Sequence, residues 1–181
     1  MGSSTVWSFL VVPYAAAAVL LVVAGAPKVL DPGDLHRAVR SVGMPVGRTA
    51  VRAFALAEVV VGLVALTLPG RATAALLGVL YAGFTAFVVV ALGRGGVLSS
   101  CGCFGKADTP PTRAHALLTA AAALVGLAVA AAPPGDPWGS LTPASAGGVV
   151  ALVALVGFLA WQVMAVLPSV DPRAVRSGTR G

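Results

Sequence analysis

Five blocks of apolar residues, each about as long as a membrane-spanning helix, are joined along this 181-residue chain by short connections that hold most of its charges. A hydrocarbon core takes about 20 residues of helix to cross, and the pattern predicts spans near 6–26, 49–68, 72–92, 112–132 and 144–167. None shows the strict alternation and turn punctuation of a membrane β-strand. The predicted fold is therefore an all-α membrane protein, a bundle of about five transmembrane helices, with residues 1–167 forming one domain. Residues 168–181 carry Arg173, Arg176 and Arg180 among Ser, Gly and Pro, and read as a basic flexible tail.

The first block reads as a retained helix rather than a cleaved signal peptide. It has no positive region before it, its apolar run is long, and Pro27 directly follows Ala24-Gly25-Ala26. Pro13 is expected to loosen the helix without stopping it. Asp31 is suited to cap a short helix beginning at Pro32, with Leu35, Ala38, Val39 and Val42 on one face and His36, Arg37, Arg40 and Ser41 on the other. Such a helix would lie on an anionic membrane surface, or be an ordinary solvated connection.

Composition sharpens this picture. Hydrophobic residues make up 58% and charged residues 10% of the chain, against roughly 25% charged residues in soluble domains. The net charge of +6 sits in the connections and does not suit nucleic-acid binding. Of the 12 Lys and Arg residues, only Arg71 falls on the side of the N-terminus. Lys28, Arg37, Arg40, Arg48 and Arg52 flank the first connection, Arg94, Lys106 and Arg113 the third, and the tail holds the rest. Lys and Arg favour the cytoplasmic side. The expectation is a multi-pass protein of the inner membrane with its N-terminus outside and its C-terminus inside, the third connection being cytoplasmic.

Glu58 is the acid placed inside a span. At ~1.5 Å per residue it lies ~13 Å from the cytoplasmic end and Tyr81 ~16 Å, with Tyr14 at a similar level. A carboxylate alone in lipid is costly, so a hydrogen bond from Tyr81, joined by Tyr14, is expected to hold it. Such a clamp would be structural, or Glu58 would handle protons or face a quinone. Lys28 reads as an interface anchor with some reach toward Glu58.

The two cysteines lie in Ser100-Cys101-Gly102-Cys103-Phe104-Gly105. A disulfide between residues this close closes a tiny ring and contributes little to folding, and strained disulfides are the labile, exchanging kind. Cys101 and Cys103 are therefore a candidate redox pair. The readings left beside it are half a metal site completed by His115 or Asp108, and two small buried residues. Lys106 and the start of the fourth span would lower a thiol pKa, or both thiols titrate normally; His115 is placed to accept a proton from a thiol, or is an interfacial histidine with no special role. Four ligands at wider spacing are usual for structural zinc, so no metal is assigned.

The Cys-Gly-Cys-Phe-Gly motif between a third and a fourth helix resembles the MauE family of methylamine utilisation membrane proteins. Ala24-Gly25-Ala26-Pro27-Lys28-Val29-Leu30-Asp31-Pro32 and Glu58 are similar to the wider DoxX-like group. The resemblance covers about residues 10–130. It implies a four-helix core followed by a C-terminal helix, and a helper in the processing or disulfide formation of methylamine dehydrogenase small subunit or a similar exported protein. It carries over only Cys101 and Cys103 as active residues. Expected partners are a thioredoxin-like protein or an exported disulfide-containing client, and the lipid bilayer. No cofactor is required for exchange, although a quinone or other lipid-soluble electron acceptor would serve. The alternative is a non-catalytic membrane scaffold with structural or metal-binding cysteines.

Overall fold

The computed structural model describes residues 3–41, 43, 45–93, 112–135, 137–139 and 141–166. The described residues form α1 (Ser3–Leu30), α2 (Gly33–Ser41), α3 (Arg48–Thr67), α4 (Arg71–Gly93), α5 (Arg113–Ala131) and α6 (Pro143–Trp161), the last running into a π-helical turn over Gln162–Val166. All but α2 are long and apolar enough to cross a membrane. The all-α bundle of five spans read from the sequence is thus present. Cys101, Cys103, Lys106, Arg94, Val42 and the basic tail lie outside the described residues.

The first span differs from expectation at its end. It does not stop at Ala26: α1 continues through Pro27 to Leu30. Proline is tolerated in membrane helices because neighbours satisfy the freed backbone groups. Here the Pro27 carbonyl accepts from the Asp31 amide at 2.8 Å, and Arg52 of α3 covers the exposed helix end. Its Nε donates to the Val29 carbonyl at 2.9 Å and its Nη2 to Leu30 at 3.3 Å. Lys28 is therefore a helical residue with a fixed direction.

The short amphipathic helix begins at Gly33, and the Asp31 carboxylate accepts from the Gly33 amide at 2.9 Å. Ala38 faces inward while Arg37 and Arg40 are exposed, and Arg37 pairs with Asp34 one turn away. Two spans begin with a side-chain cap. Thr112 accepts from the His115 amide, and Thr142 accepts from Ser145 ahead of a helix whose first position is Pro143, where the missing N–H costs nothing.

Small residues set the packing. In lipid the apolar effect gives helices little reason to associate, so close backbone approach and interhelical hydrogen bonds take over. α1 and α3 run antiparallel in contact at two glycines. A Cβ on Gly25 would lie 3.0 Å from the Ala55 carbonyl, and one on Gly62 would lie 2.8 Å from that of Ala18. α4 and α5 meet at Gly78 and Gly126, where a Cβ on Gly126 would lie 2.7 Å from the Gly78 nitrogen. Seven residues away along the same antiparallel register, the Thr85 and Thr119 hydroxyls are 3.0 Å apart.

α1 is the central helix, with Tyr14, Ala15, Ala16, Ala17, Ala18 and Leu21 all buried. α6 is peripheral. It buries Gly157 and presents Val150, Leu152, Leu155 and Phe158 outward, the surface a lipid-facing helix needs. Near the start of α1 the Trp7 indole donates to the Pro137 carbonyl at 3.0 Å and lies 5.7 Å from the rings of both Tyr14 and Trp138. These contacts bring the α5–α6 connection to the end of the bundle opposite Lys28 and Arg52.

Candidate functional site

The most polar interior point is a salt bridge between α1 and α3. Lys28 Nζ donates to Glu58 Oε2 at 2.8 Å and to Oε1 at 3.1 Å, with the two residues 4% and 0% exposed. Gly25, one turn before Lys28, makes this geometry available. Any larger residue there would strike the Glu58 Cβ and the Ala55 carbonyl and hold the helices apart. The pair rather than either charge is what the membrane admits, since an isolated ion at this depth is strongly disfavoured.

The expected Glu58–Tyr81–Tyr14 clamp is corrected on each count. Tyr81 donates to the Ala17 carbonyl of α1 at 2.7 Å, and Glu58 takes Lys28 instead. Tyr14 sits toward the other end of the bundle, packed on Trp7 with its hydroxyl beside Thr73. The Lys28 ammonium is not at the interface. Of the two roles open to Lys28 in the sequence, an interface anchor and a reach toward Glu58, the structure shows the second.

An aromatic cluster adjoins the pair through Phe84. Lys28 Nζ lies 5.3 Å from the Phe84 ring centroid, and Phe84 in turn packs edge-on to Phe54 at 5.9 Å and Tyr81 at 5.7 Å. A cation over an aromatic face gains up to about 2 kcal/mol when desolvated. Beyond Phe84 a cavity of about 160 Å³ opens between α1, α4, α5 and α6, walled by Leu21, Phe84, Ala122, Val125, Val156 and Met164. Its other polar edges are Lys28, Tyr81 and Thr119. Thr119 is spent locally, donating to the His115 carbonyl at 2.8 Å.

His115, fully buried at the start of α5, forms a capping box with Thr112. Its Nδ1 lies 2.8 Å from the Thr112 hydroxyl, and the Thr112 amide donates to it at 3.3 Å. An amide can only donate, so Nδ1 is an acceptor and the neutral ring carries its proton on Nε2. Among the described residues Nε2 has no hydrogen-bond partner. This tautomer makes His115 a donor at Nε2, a different role from the proton acceptor expected there. Among the described residues no group of three or more His, Cys, Asp and Glu is placed to hold a metal. The cysteines themselves, and Lys106, lie outside the described residues, in the connection that leaves α4 at Gly93 and enters α5 through Thr112.

Fold and site together define a multi-pass helical membrane protein with a sealed ion pair beside an apolar chamber. Residues 5–134 match the family model of Methylamine utilisation protein MauE. The chain belongs to that family. The matched stretch takes in Lys28, Glu58, the cysteine motif and α5, and ends before α6. No curated protein and no solved structure matches the chain.

Proposed function

We propose that this protein is a membrane thiol–disulfide helper that supports maturation of an exported protein in methylamine utilisation, with Cys101 and Cys103 as the exchanging pair. The observation that carries the reading is the position of Cys101-Gly102-Cys103, the chain's two cysteines, within the family-matched segment and between α4 and α5. On the side of the bundle from which this connection leaves, the two helices are joined by the Thr85 and Thr119 hydroxyls, 3.0 Å apart. His115 adds to this support. Its Nε2–H, buried at the start of α5 and without a partner among the described residues, is suited to stabilise an anion such as a thiolate by donating to it.

In the exchange, one thiolate attacks a partner disulfide, forming a mixed disulfide and releasing one partner thiolate. The second cysteine then attacks its neighbour's sulfur, closing the Cys101–Cys103 bond and leaving the partner fully reduced. The reverse sequence oxidises the partner. No bound cofactor enters either direction. With basic residues setting the orientation, the pair faces the cytoplasm of a cell whose inner membrane holds the protein, and the partner is a thioredoxin-like protein.

Alkylation trapping in whole cells tests this. A partly oxidised pair, and a mixed disulfide that accumulates in Cys103→Ser, are expected. Thiols that remain reduced under every condition, with exported thiol proteins unaffected by Cys→Ser changes, would overturn the reading. A stoichiometric metal lost in Cys103→Ser would replace it with a structural scaffold. A membrane-impermeant maleimide should label the pair after permeabilisation and reduction but not in intact cells. Labelling of intact cells would reverse the orientation and make an exported client the direct partner.

A further inference from the structure

The Lys28 ammonium has more hydrogen-bonding capacity than its salt bridge uses. It carries three N–H donors and no acceptor. The Glu58 oxygens account for two of these, and among the described residues the remaining direction meets the face of Phe84. That group forms part of the wall of the cavity between α1, α4, α5 and α6. An apolar chamber with a few placed polar atoms is the usual form of a small-molecule site.

The chemistry of the wall selects the occupant. The chamber lies within the spans, behind the loosely held α6, so its ligand arrives through lipid. Lys28 offers only donors, so the ligand must bring an acceptor oxygen. Glu58 already neutralises Lys28, so an anionic ligand would leave unbalanced charge in hydrocarbon and a neutral carbonyl would not. Phe84 and Tyr81 present ring edges and faces suited to a flat group.

We propose that this cavity binds a lipid-soluble quinone, Lys28 donating to one quinone carbonyl, and that the quinone receives the electron pair of the Cys101/Cys103 dithiol. The second part rests on the thiol–disulfide reading above. The step balances: two S–H bonds break, one S–S bond forms, and two electrons and two protons convert the quinone to its hydroquinone with two new O–H bonds. Phe84 stands nine residues before the end of α4, ~14 Å along the helix, at the end of the bundle from which the cysteine connection leaves. Lys28 is a positioning group for the carbonyl, and Glu58 holds Lys28 in place.

The test uses the full-length protein in lipid nanodiscs and a decyl-substituted benzoquinone as probe. Saturable binding of one quinone per chain is expected. Ala122→Phe, which fills the chamber without touching the ion pair, should weaken binding at least tenfold. The double change Lys28→Met with Glu58→Gln removes the donor without stranding a charge, and should do the same while helical content is retained. Binding unaltered in both variants would overturn the proposal, as would a tightly held phospholipid that the quinone does not displace. Cys101→Ser/Cys103→Ser should bind the probe normally but form no hydroquinone. Normal binding with no hydroquinone from the wild-type protein would overturn the electron transfer and leave the site. Partner thiol exchange without quinone binding would overturn the site and leave the exchange.

Discussion

Removing Lys28 should damage this protein far more than removing Glu58's charge. In Lys28→Met the Glu58 carboxylate, with no exposed surface, loses both of its hydrogen bonds and its counter-charge. Breaking a buried pair from one side costs about 3–5 kcal/mol. In Glu58→Gln the lysine is left unpaired, but it stands two residues from the end of α1 and its long stem can carry the ammonium toward the interface. That loss should be about 1–2 kcal/mol by the scale for one unsatisfied polar group. Making both changes removes the stranded charge, so the double variant should be more stable than Lys28→Met alone, with a coupling of about 2–3 kcal/mol. Reversible unfolding in mixed micelles, followed by tryptophan fluorescence, measures all four proteins. Additive effects with no coupling, or equal losses in the two single variants, would refute the argument that the pair is sealed and asymmetric.

Gly126→Ala should destabilise by about 1–3 kcal/mol, because its Cβ would press on the Gly78 backbone and overpacked contacts cost that much. Gly83→Ala, with open space around it, is the matched control and should leave the thermal midpoint unchanged. Tyr81→Phe should lose about 0.5–1.5 kcal/mol through its bond to the Ala17 carbonyl, read by the same unfolding assay; an unchanged midpoint would mean the hydroxyl contributes nothing between α1 and α4.

The spans were legible because membrane helices announce themselves by length and composition. Their predicted limits agree with the observed helices within one or two residues at both ends of α3, α4 and α5. What was not legible was pairing. Glu58 announced a need for a partner, yet Tyr81, Tyr14 and Lys28 all lay within the uncertainty of helix depth counted from the sequence. Rotation about the helix axis decided among them, and that is fixed by contacts such as Gly25 on Ala55 and Gly62 on Ala18, which no periodicity reveals in so Ala-rich a chain. The same limit applied at His115. A titratable ring near the cysteines was readable, while its role as a donor depends on the capping geometry of Thr112.

The Gly25 notch bears on how the chain is made as well as how it stands. α3 reaches the insertion machinery carrying a carboxylate near its middle, at a cost of about 2.5–3.5 kcal/mol for such a group alone. By then α1, already synthesised, holds the compensating ammonium at the matching depth, and nothing larger than a hydrogen at position 25 keeps the two apart. The first three helices can thus enter the bilayer as a closed hairpin before α4 is translated. On this view a substitution at Gly25 would show itself first as a topology defect, with α3 failing to integrate, and in the finished protein only afterwards.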